Sequence, residues 1–298
     1  MDGIIIKKHK KRYIVDSGGI SYGCSIRGRL YKEIKDARNI AVVGDRVTFE
    51  ETGEEEGIIT EIKPRRRKLS KSSIMNPFQE HVIVANVDQL LVVTSVKNPD
   101  FDADYVDRFI AAGEKRELHV VLCINKLDLK KDKKIDKYAG IYKSIGYDVV
   151  LTSALTGNGL EELKDLMRKK ISVMAGQSGV GKSTIINVLQ PGLNLRVRNV
   201  NPKTGEGTHT TTSVSLFRLD FDAYIVDTPG IREFNLWDIS KDTLHYYFRE
   251  FRELSSECRF KDCSHVTEPG CAVREGVDSG VISKERYNGY INILRSLK

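Results

Sequence analysis

One glycine-rich run constrains the fold of this chain more than any other feature. The run reads Gly176-Gln-Ser-Gly-Val-Gly-Lys-Ser183, after the apolar segment 171–175 and before residues that favour a helix. Glycines at this spacing let main-chain N–H groups surround a phosphate, and the lysine adds a positive charge. The run therefore predicts a phosphate-binding loop between a strand and a helix of an α/β domain with a parallel sheet. A glycine turn without function is the alternative, and the context argues against it.

The residues of this loop are the candidate ligands for the phosphates of a nucleotide. We expect the Lys182 ammonium to contact the β- and γ-phosphates and to act in catalysis, and the Ser183 hydroxyl to bind Mg²⁺. The expected phosphate-binding residues are Gly176, Gln177, Ser178, Gly179, Val180, Gly181, Lys182, Ser183 and Thr184.

A second loop indicates which base the nucleotide carries. It follows an apolar, strand-like run and reads Asn125-Lys-Leu-Asp128. The Asp128 carboxylate can accept hydrogen bonds from N1–H and the exocyclic amine of guanine, a pair of donors that adenine lacks, which favours GTP over ATP. We expect Asn125 to join this loop to the phosphate loop and the base, and the Lys126 stem to cover the base. The candidate base-binding residues are Asn125, Lys126, Leu127 and Asp128.

A third loop follows the next apolar strand and reads Thr152-Ser-Ala-Leu-Thr-Gly157. We expect the main-chain N–H of Ala154 to reach guanine O6, with Ser153 in the same binding loop. Taken alone, this segment would be an ordinary strand-to-helix loop, and the tetrapeptide at 125–128 would be a solvated turn. Because a phosphate loop occurs in the same chain, we interpret both segments as loops that bind the base.

A fourth motif follows the strand that ends at Val226 and reads Asp227-Thr-Pro-Gly230. An acidic residue at a strand end can hold Mg²⁺ through water, which is the role we expect for Asp227. The N–H of Gly230 is expected to meet the γ-phosphate. Turns often contain Pro-Gly, so the motif is weak alone and specific only after a phosphate loop.

The segment before this motif holds the candidate switch and catalytic residues. Either Thr210 or Thr211 is expected to complete the Mg²⁺ shell, and the sequence does not separate the two. Ile231 stands where many GTPases place a water-orienting glutamine, so we expect hydrolysis to need a group from elsewhere. Our hypothesis is that His209 supplies it, since histidine titrates near neutral pH. A histidine that only packs or contacts a partner is the alternative.

The order of these motifs is unusual. GTPases usually begin with the phosphate loop, whereas here the base loops at 125–128 and 152–157 precede the phosphate loop and the 227–230 motif. The spatial site need not change, because each loop still lies at the end of its own strand. The sequence therefore resembles a circularly permuted GTPase, in which the 227–230 motif leads directly into the C-terminal part of the chain.

That C-terminal part contains a cluster of metal-ligand residues. Three cysteines and a histidine lie within a short segment, at Cys258, Cys263, His265 and Cys271. Three thiolates and one imidazole suit tetrahedral Zn²⁺, and four protein ligands indicate a closed structural site. Three reduced cysteines beside a chance histidine are the alternative. The remaining cysteines, Cys24 and Cys123, lie in strand-like stretches and are predicted to be core residues.

The first 74 residues differ from the rest in charge and pattern. They carry almost all of the formal net charge of +7 and contain four or five short β-rich segments. A small β-barrel that binds a polyanion, nucleic acid before a membrane surface, is one interpretation; a solvated basic face is the other. We predict a linker at 64–76. The expected phosphate contacts are Lys7, Lys8, Lys10, Lys11, Arg12 and Arg65–Lys68, and the aromatic residues that stack on bases or fill the core are Tyr13, Tyr22, Tyr31 and Phe49.

The composition excludes several other classes of protein. Charged residues make up 30% of the 298 residues, and no apolar run approaches the ~18 residues of a membrane span. The N-terminal residues have the reverse order of a secretory signal, and an odd number of cysteines argues against a disulfide framework. We therefore expect a cytoplasmic protein that does not interact with a membrane.

The whole set of motifs resembles the RsgA (YjeQ/YloQ) family of bacterial ribosome-associated GTPases. The resemblance implies an OB-fold barrel over 1–74, a circularly permuted GTPase domain over 75–235 and a mostly helical zinc-binding domain over 236–298. It also implies that the small ribosomal subunit stimulates GTP hydrolysis, and that the protein acts in late maturation of that subunit. The matching stretches are Ala85–Gln89, Asn125–Asp128, Gly176–Thr184, Gly207–Thr212, Asp227–Phe234, Cys258–Cys271 and Arg286-Tyr287.

Our interpretation is thus a monomeric molecular switch that binds the small subunit and its rRNA, hydrolyses GTP to GDP, and then leaves. One alternative is an RNA-binding module in which GTP is a structural or regulatory ligand. Another is a GTPase that acts on membranes or on tRNA.

Overall fold

A computed structural model of the chain describes residues 1–33, 40–72, 80–129, 133–193, 214–227 and 239–297. The strands within these ranges are β1 (Asp2–His9), β2 (Arg12–Ser17), β3 (Ile20–Ile26), β4 (Arg46–Gly53), β5 (Glu56–Ile62), β6 (Lys68–Ser72), β7 (Glu80–Ala85), β8 (Gln89–Ser95), β9 (His119–Asn125), β10 (Asp148–Leu151), β11 (Ile171–Ala175), β12 (Ser215–Leu219) and β13 (Ala223–Asp227). The α-helices are α1 (Gly28–Glu33), α2 (Ala103–Lys115), α3 (Lys133–Ser144), α4 (Leu160–Met167), α5 (Lys182–Leu189), α6 (Arg252–Ser255), α7 (Ala272–Asp278) and α8 (Lys284–Ser296). Among these described helices, none is long and apolar enough to cross a lipid bilayer.

The chain forms two compact units, each assembled from segments that are distant in sequence. The first unit consists of Met1–Gln89, Lys164–Met174 and Asn201–Glu233. The second unit consists of Leu90–Leu163, Ala175–Val200 and Phe234–Lys298. The chain therefore passes between the two units several times.

The first unit contains a closed five-stranded barrel. Its strand order is β1-β2-β3-β5-β4, and β4 returns to pair with β1. Strands β3 and β5 run parallel, whereas the other neighbours run antiparallel. Ile5, Val15 and Phe49 are fully buried in the interior. This confirms the predicted small barrel. The sequence pattern does not reveal β1, because Ile5 is the only one of its three isoleucines that is buried.

Three further strands continue from the barrel within the same unit. Strand β1 pairs with β12 at Lys7 and Ser215, β12 runs antiparallel to β13, and β13 runs parallel to β11. The sequence predicts β11 and β13 but not β12. The buried residues of β12, Leu216 and Leu219, are three positions apart, a spacing that fits a helix better than the alternation of a strand.

Part of the predicted linker is a β-hairpin. Strand β6 pairs antiparallel with β7, and the buried residues Leu69 and Val84 lie directly opposite each other. The linker prediction is therefore wrong at residues 68–72, where a cross-strand apolar contact stabilises a strand, β6, of mostly polar composition. Residues 73–79 lie outside the described ranges.

The parallel-sheet pattern predicted for the centre of the chain is confirmed in the second unit. Strand β10 pairs parallel with β9, and β8 lies beside β9. Every residue of β8 is buried, as expected for a strand covered on both faces. The sequence pattern also favours helices near 103–115, 134–145 and 159–170 and a helix that begins at Lys182, and these occur as α2, α3, α4 and α5. Helix α2 begins after Asp102, whose carboxylate accepts from the N–H of Tyr105 at 3.2 Å.

The C-terminal part of the second unit packs around aromatic residues. Leu244, Phe248 and Phe251 are fully buried in one apolar cluster with Tyr290 of α8, whose ring lies against those of Phe248 and Phe251. Together with Leu254, these three residues recur at helical spacing, which predicts one helix over 244–254. This prediction is wrong. Two 3-10 segments (241–247 and 249–251) and the short α6 occur instead, because Phe248 is extended with a ψ of 104°. Helix α8 is confirmed, and it begins after Ser283.

Candidate functional site

The glycine-rich run forms the loop between β11 and α5. Gly176, Gly179 and Gly181 have φ angles of 152°, 82° and 100°, which side chains rarely permit. A Cβ atom at Gly176 would lie 2.0 Å from the carbonyl oxygen of Val93, and one at Gly181 would lie 2.4 Å from Asn125 Nδ2. Backbone conformation and close neighbours together therefore require glycine. The loop leads into the first turn of α5, where free N–H groups favour an anion.

Lys182 lies in the first turn of α5 and is held by the loop itself. Its Nζ donates to the carbonyl oxygens of Gly176 and Gln177, both at 2.7 Å. Burial lowers the pKa of Lys182, and the two carbonyl dipoles compensate the ammonium. The positive charge is therefore already placed inside the loop that is predicted to surround the phosphates.

Asn125 joins three loops that are far apart in sequence. Its Nδ2 donates to the carbonyl oxygen of Val180 in the phosphate loop at 2.9 Å. Its Oδ1 accepts from the N–H of Ala154 at 3.1 Å and from the hydroxyl of Thr152 at 3.3 Å. The expected contact of this loop with the phosphate loop is present. The N–H of Ala154, expected to reach guanine O6, donates to Asn125 in this structure.

The carboxylate expected to select guanine is oriented by the neighbouring loop. Asp128 Oδ1 accepts from the hydroxyl of Ser153 at 2.5 Å. The same hydroxyl accepts from the N–H of Thr156 at 3.2 Å, and the N–H of Leu127 donates to the carbonyl oxygen of Thr152 at 3.1 Å. The loop at 125–128 is thus fixed to the loop at 152–157 by both side chains and main chain.

One contact of this site is not indicated by any motif. Lys126 Nζ donates to the carbonyl oxygen of Asn98, in the segment between β8 and α2. Two hydrogen bonds anchor that segment. Ser95 Oγ donates to the carbonyl oxygen of Pro99 at 2.7 Å, and the N–H of Val96 donates to the carbonyl oxygen of Asn125 at 3.0 Å. Burial lowers the pKa of Lys126. Since a main-chain carbonyl holds the ammonium, residue identity carries no signal of this contact.

The remaining predicted nucleotide ligands lie outside the described residues. They are His209, Thr210, Thr211 and Gly230. Asp227 is the last residue of β13, where it pairs with Ser215, but its side chain is not among those described. The predicted roles of these five residues in catalysis and Mg²⁺ binding stay predictions.

The four predicted metal ligands come together in the second unit. Their donor atoms all lie within 4.8 Å of one another, and they belong to Cys258, Cys263, His265 and Cys271. His265 Nδ1 lies 3.4 Å from Cys271 Sγ and 3.6 Å from Cys258 Sγ, and the two sulfur atoms are 3.9 Å apart. A tetrahedral Zn²⁺ with ordinary bond lengths requires about 3.6 Å between nitrogen and sulfur and about 3.8 Å between sulfurs. The cluster is therefore of the right size to hold a metal ion.

The electrostatics of the cluster also fit a cation. Burial lowers the pKa of His265 to about 4, which leaves the imidazole neutral and Nδ1 available as a ligand. Burial raises the pKa of the Cys263 thiol to about 12, and it raises that of Cys271 as well. Such thiols ionise when a positive ion takes the place of their protons.

Residues that the ligand pattern does not include hold this loop in shape. The hydroxyls of Tyr287 and Tyr290 on α8 donate to the carbonyl oxygens of His265 and Ser264 at 2.7 and 2.8 Å. The Glu268 carboxylate accepts from the Ser264 hydroxyl at 2.5 Å and from three N–H groups of residues 264, 266 and 267. Burial alone would raise the pKa of Glu268, but these hydrogen bonds lower it to about 2. An acidic residue between two ligands is the sequence signal that could have indicated this role.

Comparison with known protein families decides the identity. Residues 62–237, more than half of the chain, match the family model described as RsgA GTPase. The chain belongs to the RsgA GTPase family. The resemblance inferred from the order of the motifs is confirmed.

Curated relatives and solved structures agree with this assignment over nearly the full length. The small ribosomal subunit biogenesis GTPase RsgA of Chlorobaculum tepidum is 39% identical over 307 residues, covering 100% of this chain and 98% of the relative. The protein of the same name from Caldanaerobacter subterraneus subsp. tengcongensis is 41% identical, covering 96% and 92%. The crystal structure of YjeQ from Thermotoga maritima matches with a TM-score of 0.81 at 37% identity, covering 99% and 98% of the two chains. YloQ, described as a circularly permuted GTPase, matches with a TM-score of 0.77 at 30% identity, covering 99% and 94%.

In this RsgA family member, the matched residue Arg286 forms a buried charge cluster. It is 1% exposed and contacts Asp107 of α2, also 1% exposed, together with Glu250 Oε1 at 2.6 Å. Tyr142 of α3 donates to the same Asp107 oxygen at 2.7 Å. Burial raises the pKa of Asp107 to about 6, although the arginine opposes this shift. One side chain thus joins three parts of the second unit.

The basic residues of the barrel divide into two groups. Arg65 makes two hydrogen bonds of 2.7 and 2.8 Å to Asp45, which is fully buried, and Lys8 Nζ donates to the carbonyl oxygen of Ala41 at 2.8 Å. Arg65 and Lys8 are thus held by the barrel itself, and their expected contacts with phosphates stay predictions. Arg12 is exposed but paired with Glu56. The exposed members of the set are Lys7, Lys10, Lys11, Arg66, Arg67 and Lys68.

The aromatic residues of the barrel belong to its core. Tyr13, Tyr22 and Phe49 are buried, and the rings of Tyr22 and Phe49 lie 5.0 Å apart. Of the two roles considered for these residues, packing is therefore the one that the structure supports. The side chain of Tyr31 lies outside those described. Cys24 and Cys123 are both fully buried, as predicted.

Proposed function

We propose that this chain hydrolyses GTP to GDP and phosphate on the small ribosomal subunit, and that it acts in late maturation of that subunit through rRNA binding. The support from relatives is their name, small ribosomal subunit biogenesis GTPase, at about 40% identity over nearly the whole length. We further propose that the protein works as a monomer in the cytoplasm and alternates between GTP and GDP.

The observation that carries the GTP proposal is the convergence of three loops on Asn125. Its amide links the phosphate loop, through Val180, to the loop that contains Ala154. The same arrangement orients the Asp128 carboxylate and places the Lys182 ammonium within the glycine loop. Phosphate binding and guanine selection thereby depend on one connected set of hydrogen bonds.

The hydrolytic step needs a group that orients water. Ile231 cannot do so, and His209 is our candidate because an imidazole can both accept and donate a proton near neutral pH. Lys182 would stabilise the charge that develops on the β- and γ-phosphates. Gly230 would bind the γ-phosphate through its N–H.

Two metal ions complete the proposal. Ser183, Asp227 through water, and either Thr210 or Thr211 would hold Mg²⁺, which neutralises phosphate charge when it is bound. The cluster of Cys258, Cys263, His265 and Cys271 would hold Zn²⁺, because three sulfur ligands and one imidazole with no open position suit a structural zinc site.

We assign these activities to three segments of the chain. Residues 1–74 form the rRNA-binding barrel, residues 75–235 the GTPase, and residues 236–298 the zinc-binding part. The exposed lysines and arginines of the barrel support the first assignment, since phosphate contacts dominate the affinity of proteins for nucleic acids.

The proposal is tested by measuring GTP turnover during titration with purified small ribosomal subunits. We expect turnover to rise to a plateau with subunit concentration, and calorimetry to show binding of GTP but not of ATP. Asp128→Ala should lose most of its GTP affinity because guanine donors then lack an acceptor. Asp136→Ala removes an exposed carboxylate on α3 and serves as the matched control.

Equal binding of ATP and GTP would overturn the base assignment. GTP binding without stimulated turnover would favour an RNA-binding module in which the nucleotide is a structural or regulatory ligand. Failure to sediment with small subunits in the presence of a GTP analogue, together with binding to vesicles or to tRNA, would favour a GTPase of another class.

A further inference from the structure

The barrel and strand β13 belong to the same compact unit and are joined by strand pairing. Lys7 of β1 pairs with Ser215 of β12, and Ser215 pairs with Asp227 at the end of β13. One row of strand partners therefore runs from an exposed lysine of the barrel to the first residue of the motif that we assign to Mg²⁺ and the γ-phosphate. A shift of β1 at Lys7 would therefore act on Ser215 and, through it, on the main chain of Asp227.

A side-chain contact strengthens the same connection. The Tyr224 hydroxyl, on β13, donates to Asp16 Oδ2 at the end of β2 at 2.5 Å. Asp16 is only 5% exposed, and Arg218 of β12 lies 4.0 Å from the same oxygen. Burial and the neighbouring carboxylate both raise the pKa of Tyr224, so its hydroxyl remains a donor at physiological pH. A hydrogen bond to a buried charged acceptor is among the stronger ones that a side chain can make.

A third contact explains the matched stretch 85–89, to which the nucleotide site gives no role. Asn86 Nδ2 donates to the Gly44 carbonyl oxygen in the barrel at 3.0 Å. Two residues later, Asp88 Oδ2 accepts from the N–H of Ile171 on β11 at 2.8 Å. Strand β11 is the parallel neighbour of β13, with Ile171 paired to Tyr224. The barrel is therefore attached to both strands that precede phosphate-binding motifs.

We propose that Tyr224 is a positioning residue that holds β13 to the barrel, so that a polyanion bound on the barrel changes the placement of Asp227. The inference rests on the proposed function, because it requires that hydrolysis respond to rRNA. Tyr224 is three residues before Asp227 on a short strand, so a displacement of β2 at Asp16 reaches Asp227 without passing through a loop. Coupling of this kind is reciprocal: nucleotide must alter the affinity for the polyanion by the same factor.

The test measures that factor directly. In the full-length protein, the ratio of the dissociation constants for purified small subunits with GDP and with a GTP analogue reports the coupling. Tyr224→Phe keeps the ring and removes only the hydroxyl. We expect it to reduce this ratio severalfold, with about tenfold as the upper limit, because the coupling lost cannot exceed the free energy of one hydrogen bond to a charged group. The subunit-stimulated kcat should fall, whereas the KM for GTP should not change.

Tyr147→Phe is the matched control, because among the described residues the buried Tyr147 hydroxyl has no hydrogen-bond partner. It should retain the ratio of the unaltered protein. Asp16→Asn provides a second variant, since its amide oxygen still accepts from Tyr224 without a charge, and it should show a smaller loss than Tyr224→Phe.

A folded Tyr224→Phe protein with the ratio of the unaltered protein would overturn the inference at any melting temperature, as would equal losses in Tyr224→Phe and Tyr147→Phe. If Tyr224→Phe does not fold, an unchanged ratio in Asp16→Asn would overturn it as well. A ratio of one in the unaltered protein contradicts the proposed function itself, so the two failures are distinguishable.

Discussion

Two arginines make inward-facing ion pairs in different parts of this molecule, and they do so in different ways. In the barrel, Arg65 keeps 21% of its side chain exposed and binds one carboxylate, Asp45, through two parallel hydrogen bonds. In the second unit, Arg286 is almost fully buried and contacts two carboxylates, Asp107 and Glu250. The first pair links the residue before β4 to the segment after β5, whereas the second joins α2, α8 and the 3-10 segment at 249–251.

The difference shows how burial sets the importance of an ion pair. Asp45 is fully buried but Arg65 keeps part of its side chain in water, so water solvates the arginine in part when this pair is separated. A charge that loses its partner inside the protein is not solvated, and the resulting loss of stability is large. The C-terminal part should therefore depend on its polar centres, Arg286 and the metal cluster, whereas the barrel should depend mainly on its apolar core.

The largest effect expected from this contrast comes from the metal cluster. Cys271→Ser removes a ligand that is also a core residue, since Cys271 packs with Phe251 and Val273. We expect the purified variant to contain no zinc and to lose the folded structure of residues 252–297, because structural zinc contributes on the order of 10 kcal/mol to folding. Metal analysis and hydrogen exchange resolved by peptide measure both results.

The barrel supplies the control for this prediction. Cys24 is a buried thiol on β3 with no part in the cluster, so Cys24→Ala should retain zinc and normal exchange in the C-terminal part. Exchange in β1–β5 should be the same in Cys271→Ser as in the unaltered protein. A Cys271→Ser protein that retains one zinc ion per chain would contradict the assignment of the ligands.

The next largest effect is expected at Arg286. Arg286→Met keeps most of the side-chain volume but leaves Asp107 and Glu250 buried without their cation, and we expect a loss of about 3–5 kcal/mol in the free energy of unfolding. Denaturant titration measures this loss. Arg295→Met changes an exposed arginine of the same helix, and it should alter stability by less than about 0.5 kcal/mol.

The pH dependence of this loss identifies its cause. The folded-state pKa of Asp107 is raised by burial from 3.8 to about 6, so between these values the folded protein holds a proton that the unfolded chain releases. The free energy of unfolding therefore falls as pH rises through this window. Without the arginine, the ionised form of Asp107 is even less favourable inside the protein. At pH 5 this group is already protonated in the folded protein, so the stability lost in Arg286→Met should be smaller at pH 5 than at pH 8. Equal losses at both pH values would indicate lost packing instead.

These two ion pairs also show how far the sequence alone leads. The conformations of the loops that we assign to the nucleotide are predictable because their requirements are local: Gly176, Gly179 and Gly181 adopt positive φ within one short run, and Asp128 follows its own strand. The grouping of the three cysteines and the histidine is predictable for the same reason, because all four lie in one short segment. Arg286 and Asp107 are separated by 179 positions, and no pattern along the chain indicates that two such distant charges will meet.

The arginine run of the barrel marks the limit of prediction from composition. Residue type alone predicts the same role for Arg65, Arg66 and Arg67, yet only Arg65 turns inward, to Asp45. Which of the three arginines points inward depends on how the main chain is held after the end of β5. The N–H of Arg66 donates to Asn86 Oδ1 at 2.9 Å and the carbonyl oxygen of Arg67 accepts from the Asn86 N–H at 2.7 Å, so the main chain of this run is fixed by a residue about 20 positions away.

The smallest effects on stability, and the clearest separation of roles, are expected within this run. Arg65→Gln removes the cation from the buried Asp45 and should lower the free energy of unfolding by about 1–3 kcal/mol. The double variant Arg66→Glu and Arg67→Glu changes two exposed side chains and should alter the free energy of unfolding by less than about 0.5 kcal/mol. The double variant should nevertheless bind small subunits more weakly, and the slope of log affinity against log salt should decrease by about two, one for each phosphate that an arginine no longer neutralises.

Affinity for GTP in the absence of subunits distinguishes these effects from misfolding. It should be retained in the double variant at Arg66 and Arg67, because the predicted nucleotide ligands all lie outside the barrel. If Arg65→Gln bound small subunits more weakly and kept full stability, Arg65 would be the arginine that contacts RNA, and its pair with Asp45 would not be needed for stability. Unchanged salt dependence in the double variant would remove this part of the barrel from the rRNA interface and leave Lys7, Lys10 and Lys11 as the exposed basic residues to test. Of these three lysines, Lys7 pairs with Ser215, which pairs with Asp227. If a substitution of Lys7, but not of Lys10 or Lys11, lowers both the affinity for small subunits and the stimulation of GTP hydrolysis, the polyanion binds at the end of this row of paired residues.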